Sequence, residues 1–120
     1  MKLYQLKTSQ KLPISSETAW KFFSNPANLS KITPPWLNFE VRTDLKEKMY
    51  AGMIIEYFVS PLLNIPQTWV TEITHLNEPK YFVDEQRFGP YRMWHHQHLF
   101  TMAEDGCVIM EDIVSYVVPF

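Results

Sequence analysis

The hydrophobic pattern of the first third of the chain predicts one strand followed by two short helices. Apolar and polar residues alternate over Leu3–Leu12, which indicates a strand with one solvated face. Ser15 and Ser16 are candidate N-caps for a helix on which Trp20 and Phe23, three residues apart, share a face.

A second short helix is predicted directly after the first. Asn25 is its candidate cap, Pro26 stands at the first helical position, and Leu29 and Ile32 face inward. The prolines of Pro34–Leu37 end this helix; the segment is interpreted as a packed stop, with a lid over a cavity as the alternative.

The rest of the chain has the pattern of strands. Six segments rich in Val, Ile, Thr and aromatic residues are separated by Gly, Pro, Asn or Asp turns. They are Asn38–Arg42, Ile54–Val59, Thr68–Leu76, Tyr81–Arg87, Tyr91–Ala103 and Cys107–Val118. Because the turns are too short for parallel crossovers, we expect an α+β fold in which one long curved antiparallel sheet, β-α-α-β6, carries two short helices after strand 1.

Composition adds a surplus of large side chains. The 120 residues suffice for one domain, residues 1–120, and 46% are hydrophobic and 15% aromatic. This is more aromatic mass than one small core readily absorbs. The best use for the surplus is the lining of an apolar pocket.

Charge and cysteine content exclude several classes of protein. The net charge is −2 with scattered Lys and Arg, so we expect no nucleic-acid partner. Cys107 is the single cysteine, which is not typical of a disulfide-stapled secreted protein. No apolar run approaches the roughly 18 residues of a membrane span, so we expect a cytoplasmic protein.

The densest chemical signal is the segment Trp94–Phe100. Alternation places Trp94, His96, His98 and Phe100 on one face of a strand. A three-residue hairpin loop, Glu104–Gly106, pairs that strand with the next and sets His98 opposite Asp112, His96 opposite Val114 and Trp94 opposite Tyr116.

Three interpretations of the two histidines remain open. His96 and His98 could chelate a metal, with Asp112 or His75 as the third ligand. A His98–Asp112 pair could instead perform acid–base chemistry, with the carboxylate orienting the ring. Under the third interpretation the rings are hydrogen-bonding members of a half-polar cavity wall or of an exposed sheet face. We adopt it, and on it we expect neither a metal nor another cofactor.

Neighbouring strands contribute further candidates. Trp69, Thr71, Ile73 and His75 alternate onto one face of their strand. The candidate ligand-binding residues are Trp69, Trp94, His96, His98, Phe100, Met110 and Tyr116, with His98 and Asp112 as candidate catalytic residues. The charges of Asp84–Arg92 are interpreted as a solvated face, with an ion pair inside the sheet as the alternative.

Several motifs resemble a known superfamily along almost the whole chain. They are Leu12–Ser15, Phe23–Leu29, Ile32–Pro35, Phe82–Gln86, Gly89–Tyr91, Trp94–Phe100 and Asp112–Tyr116. Together with the element order they resemble the START-like, or SRPBCC, helix-grip superfamily of the birch-pollen allergen and the polyketide cyclase/dehydratases. The later motifs are similar to a bacterial subfamily labelled "ligand-binding" or "cell division inhibitor".

The resemblance implies a cavity between the curved sheet and a long C-terminal helix. This sequence departs from the pattern at Pro119–Phe120, where that helix would follow. We therefore expect a truncated domain whose exposed concave face promotes homodimerisation or takes a partner.

The resemblance also implies the function that we expect, the binding of a small hydrophobic or aromatic ligand, lipid-like or polyketide-like. The alternatives are a cyclase/dehydratase-type enzyme that uses His98 and Asp112, and a protein-interaction module.

Overall fold

The fold is taken from a computed structural model that describes residues 1–28, 38, 40–42, 48–60 and 65–119. The described strands are β1 (Tyr4–Leu12), β2 (Glu40–Val41), β3 (Ile54–Val59), β4 (Gln67–Asn77), β5 (Tyr81–Phe88), β6 (Met93–Met102) and β7 (Val108–Val117). They form one curved antiparallel sheet in the order β1-β7-β6-β5-β4-β3-β2. The predicted meander is confirmed, and β1 joins its far edge by pairing with β7.

The described helical part consists of one α-helix and one 3₁₀ turn. Helix α1 covers Ser16–Phe23, and the Ser15 hydroxyl caps it by accepting a 3.1 Å hydrogen bond from the Thr18 amide. Asn25 accepts from the Ala27 amide at 3.0 Å, but within the described residues only a 3₁₀ turn, Pro26–Asn28, follows. Leu29, Ile32 and Pro34–Leu37 lie outside the described residues.

One face of the sheet, called the inner face below, is the face on which α1 packs. Trp20 is 4% exposed and makes edge-to-face contacts with Phe82 and Phe100, at ring-centroid distances of 5.7 and 5.5 Å. Ala19 and Val108 complete this buried cluster. Trp20 therefore attaches the helix to the central strands β5 and β6.

The β6–β7 hairpin has the predicted register. The Ala103 amide donates to the Cys107 carbonyl at 2.8 Å, and Gly106 takes the left-handed conformation with φ of +84°. His98 consequently lies opposite Asp112, and Trp94 opposite Tyr116.

Replacement of Trp20 tests the attachment of the helix. We expect Trp20→Ala to lower the free energy of unfolding by about 3–5 kcal/mol, because it removes the largest buried side chain of this cluster. Urea denaturation measures the loss. Phe22→Ala, on the exposed side of the same helix, is the control and should cost well under half as much. Equal losses for the two variants would contradict this account of the core.

Candidate functional site

The inner face carries five large rings on four neighbouring strands and one turn. They are Tyr57, Trp69, Tyr91, Trp94 and Tyr116, called the aromatic wall below. Trp69 stacks on Tyr57 with centroids 5.9 Å apart and meets Trp94 edge-on at 5.4 Å. Tyr91 contacts Trp94 at 4.8 Å. Rings in such geometry present a continuous apolar surface.

Gln86 fixes the position of Tyr91. Its side-chain amide donates to the Tyr91 carbonyl at 2.6 Å, and its carbonyl accepts from the Tyr91 amide at 3.1 Å. A Cβ at Gly89 would collide with the Gln86 side chain, so glycine there lets the Gln86 amide keep its two hydrogen bonds to Tyr91. Tyr91 precedes β6, which begins at Met93, so the alternation of the strand does not determine the face that Tyr91 joins.

Polar atoms are sparse within the wall. The Tyr57 hydroxyl lies 3.2 Å from the Thr71 hydroxyl, and burial raises the pKa of Tyr57, which keeps the phenol neutral. The indole Nε1 of Trp69 is buried and has no hydrogen-bond partner among the residues that the structure describes. An unpaired buried donor is costly, so this part of the wall is not arranged for stability alone.

Next to the wall lie two histidines and two aspartates, called the His–Asp cluster below. Asp84 lies opposite His96 in the register of β5 and β6, yet its Oδ2 is 2.5 Å from Nε2 of His98. Asp112 lies opposite His98, yet its Oδ1 is 2.8 Å from Nε2 of His96. Each imidazole thus contacts the carboxylate diagonal to it across a strand pair.

Ring stacking orients the imidazoles. His98 stacks on Phe82 with centroids 4.1 Å apart and on His96 at 3.7 Å. His96 meets Trp94 edge-on at 6.3 Å, which joins the His–Asp cluster to the aromatic wall. The His–Asp cluster therefore lies between two groups of rings on the inner face. Phe82 packs on one side of it and Trp94 on the other.

Burial and pairing shift the acidities within the cluster. Burial lowers the pKa of His98 against the opposing pull of Asp84, so its neutral form is favoured. Burial raises the pKa of Asp112, but the His96 hydrogen bond and the two imidazoles outweigh it, so the net pKa is below the ordinary value.

Some of the candidate residues come together as expected. Trp69, Trp94 and Tyr116 lie in the aromatic wall, and His96, His98 and Asp112 lie in the His–Asp cluster. Phe100 is 5% exposed beneath α1, and Met110 packs against the same core.

Two other expectations are wrong. His75 is exposed on the outer face, because a bulge between Ile73 and His75 shifts the alternation by one residue. Asp84 was placed on a solvated face, but it is 16% exposed and pairs with histidines on the inner face. The rest of that interpretation fits Arg87, which pairs with Glu72 and Glu85 on the exposed side.

Sequence reasoning missed Asp84 and Tyr57 as members of the site. The signal for Asp84 was its position two residues after Phe82 on β5, because residues two apart on a strand lie on the same face. Its contact with the histidines depends on the register of β5 with β6, which no short hairpin motif specified.

A depression of about 450 Å³ lies elsewhere, near the start of α1. Ser16, Lys80 and Glu111 are among the residues that line it, and it shares no residue with the wall or the cluster.

No helix in the described part of the chain has the length and apolarity needed to cross a bilayer.

No protein-family model and no curated protein matches this sequence. The structure does match solved structures. The Zhui aromatase/cyclase from a Streptomyces species is 11% identical with a TM-score of 0.75, over 98% of this chain and 69% of that one. A START superfamily protein from Mycobacterium smegmatis is 9% identical, with a TM-score of 0.71 over 97% and 78% of the two chains.

A plant protein gives a similar match. Major latex-like protein 151 from Panax ginseng is 12% identical, with a TM-score of 0.72 over 97% of this chain and 80% of that one. This chain has the START-like helix-grip fold. The fold expected from the resemblance is confirmed, and at these identities the likeness concerns the START-like fold alone.

The buried imidazole of His98 predicts a pH dependence of stability. Its pKa is lower in the folded than in the unfolded chain, so the unfolded chain binds the extra proton and stability falls as pH drops below about 6.5. The lowered pKa of Asp112 affects stability only at more acidic pH. We expect the free energy of unfolding to decrease from pH 7.5 to 5.5.

His98→Gln should make this decrease shallower, as measured by urea denaturation at a series of pH values. His95→Gln, on the opposite face of the same strand, is the control and should keep the full slope. An unchanged slope in His98→Gln would show that this ring is not the group that titrates.

Proposed function

We propose that this chain binds a small hydrophobic or aromatic ligand, lipid-like or polyketide-like, on the inner face of its sheet. The observation that carries the proposal is the aromatic wall, in which five linked rings surround Trp69 and Trp94. A ligand ring packed against Trp69 and Trp94 gains apolar contact area.

The His–Asp cluster supplies polar anchors beside that wall. His96 and His98 are 19% and 16% exposed, so they are reachable from the inner face yet mostly desolvated. Hydrogen bonds to polar groups in such surroundings select for a ligand that carries matching donors or acceptors. The proposed ligand is therefore largely apolar and has one polar end.

Binding of the neutral fluorescent probe N-phenyl-1-naphthylamine tests the proposal. We expect the separate variants Trp69→Leu and Trp94→Leu to weaken probe affinity by about 3- to 10-fold, since an aromatic contact contributes roughly 0.5–1.5 kcal/mol beyond its area. Fluorescence titration gives the affinities, and native mass spectrometry of the protein as purified shows any ligand that it already carries.

The control for this titration is Tyr50→Leu, an exposed aromatic residue outside the wall. It should leave the affinity unchanged, and circular dichroism should confirm that all three variants are folded. If both tryptophan variants bind the probe as tightly as the parent chain, the wall is not the binding surface.

Acid–base catalysis is a second candidate function, favoured by the short contact between His98 and Asp84. An imidazole held by a carboxylate keeps a defined tautomer and can transfer a proton to or from a bound ketone. Asp84 takes the orienting role first assigned to Asp112. The structural neighbour named as an aromatase/cyclase makes cyclisation or dehydration of a polyketide-like substrate the reaction to test.

Turnover of a linear poly-β-ketone, followed by liquid chromatography and mass spectrometry, separates binding from catalysis. If His98 is the acid–base group, His98→Gln should reduce product formation by 10²-fold or more with little change in probe affinity. His95→Gln should be as active as the parent chain. Equal turnover in the two variants would exclude His98 from catalysis.

A further inference from the structure

Three donor atoms of the His–Asp cluster lie close together. Asp84, His96 and His98 each offer one donor atom within 4.8 Å of the other two, and Oδ2 of Asp84 is the oxygen that approaches Nε2 of His98 and Nδ1 of His96. Two histidines two residues apart on one strand point to the same side of the sheet, and the neighbouring strand β5 supplies the carboxylate. This donor set was not foreseen: the adopted interpretation expected no metal, and the metal-binding alternative had Asp112 or His75 as its third ligand.

We propose that Asp84, His96 and His98 bind a divalent first-row transition metal ion, with Zn²⁺ as the ion that best matches two imidazoles and one carboxylate. The proposal goes beyond the binding of an organic ligand and does not depend on it. Two histidines and one carboxylate leave a coordination position for water or a ligand oxygen, as in open metal sites.

The distances suit such a site. Donors about 2.0–2.1 Å from a tetrahedral Zn²⁺ lie roughly 3.3 Å apart. Oδ2 of Asp84 lies 2.5 Å from Nε2 of His98 and 3.9 Å from Nδ1 of His96, and these two separations bracket that value. Small side-chain rotations would therefore bring the three donors to coordination distance from one ion.

Asp112 has the place of the outer carboxylate that usually accompanies a metal-bound histidine. It accepts a 2.8 Å hydrogen bond from Nε2 of His96, which leaves the lone pair of Nδ1 directed toward Asp84. It also lies 3.5 Å from Nδ1 of His98. Asp112 thus holds the far nitrogen of His96 by a hydrogen bond and lies near the far nitrogen of His98, and such partners fix the tautomer and orientation of the ligands.

The charge balance also favours a cation. Asp84 and Asp112 are 16% and 31% exposed, and in the described part of the chain neither forms an ion pair with a lysine or arginine. Two partly buried carboxylates held by imidazoles alone can be neutralised by one divalent ion.

Isothermal titration of Zn²⁺ into the chelator-treated full chain tests the site, with no organic ligand present. We expect 1:1 binding, weakened at least 10-fold in Asp84→Asn and in His98→Gln. Asp112→Asn, which removes only the positioning carboxylate, should weaken binding by about 10- to 100-fold. Co²⁺ should give the visible absorption bands of a low-coordinate nitrogen and oxygen site in the parent chain, and lose them in Asp84→Asn.

The chain contains its own matched controls. His75 and His95 are the other two histidines, they lie on the outer face, and His75→Gln and His95→Gln should bind Zn²⁺ like the parent chain. Absence of saturable Zn²⁺ binding, or equal affinity in Asp84→Asn and the parent chain, would overturn the proposal. Asp84→Asn is nearly isosteric, so it keeps the test valid if His98→Gln fails to fold. The titration uses Zn²⁺ alone, so a negative result would not bear on the binding of N-phenyl-1-naphthylamine.

Discussion

The pairing of β6 with β7 determines which side chains of the longest hairpin reach the inner face. In a strand the side-chain period is two residues, so a slip of one residue would put Asp112 on the opposite face of the sheet from His96 and His98. The hydrogen bond from Ala103 to Cys107 and the left-handed Gly106 fix that register at the loop. Both the His–Asp cluster and two of the five rings of the aromatic wall, Trp94 and Tyr116, depend on this one pairing.

The inner face combines an apolar core and a polar cluster, and burial affects the free energy of folding differently in each. Beneath α1 it is a conventional core in which Trp20 packs against Phe82 and Phe100. Further along it holds two carboxylates. Burial costs them hydration free energy, and their contacts with the imidazoles compensate this cost only in part. Apolar side chains at Asp84 and Asp112 would avoid this cost. The polar cluster therefore fits a functional role better than a stabilising one.

Local rules predicted the parts of the site that lie within one hairpin. Alternation along β6 and a three-residue loop were enough to place His98 opposite Asp112, because both depend on contiguous residues. The fold followed similarly from strands joined by short turns. The predicted capping of α1 by Ser15 also depended on adjacent residues alone.

The rest depended on irregularities that alternation does not encode. A bulge turned His75 outward, and the turn held by Gln86 brought Tyr91 to the inner face although β6 had not yet begun. To identify Asp84 as the partner of His98, one needs both the β5–β6 register and the directions of the side chains. Asp112 is opposite His98 by register, but Asp84 reaches it diagonally.

This diagonal arrangement has a chemical consequence. Because each imidazole lies between Asp84 on one side and Asp112 on the other, both of its nitrogens face a carboxylate. A proton or a metal ion can satisfy Asp84, and in either case Asp112 holds the opposite nitrogens in place. Acid–base chemistry and metal binding thus compete for the same oxygen of Asp84, whereas the apolar part of a ligand requires only the rings of Trp69 and Trp94.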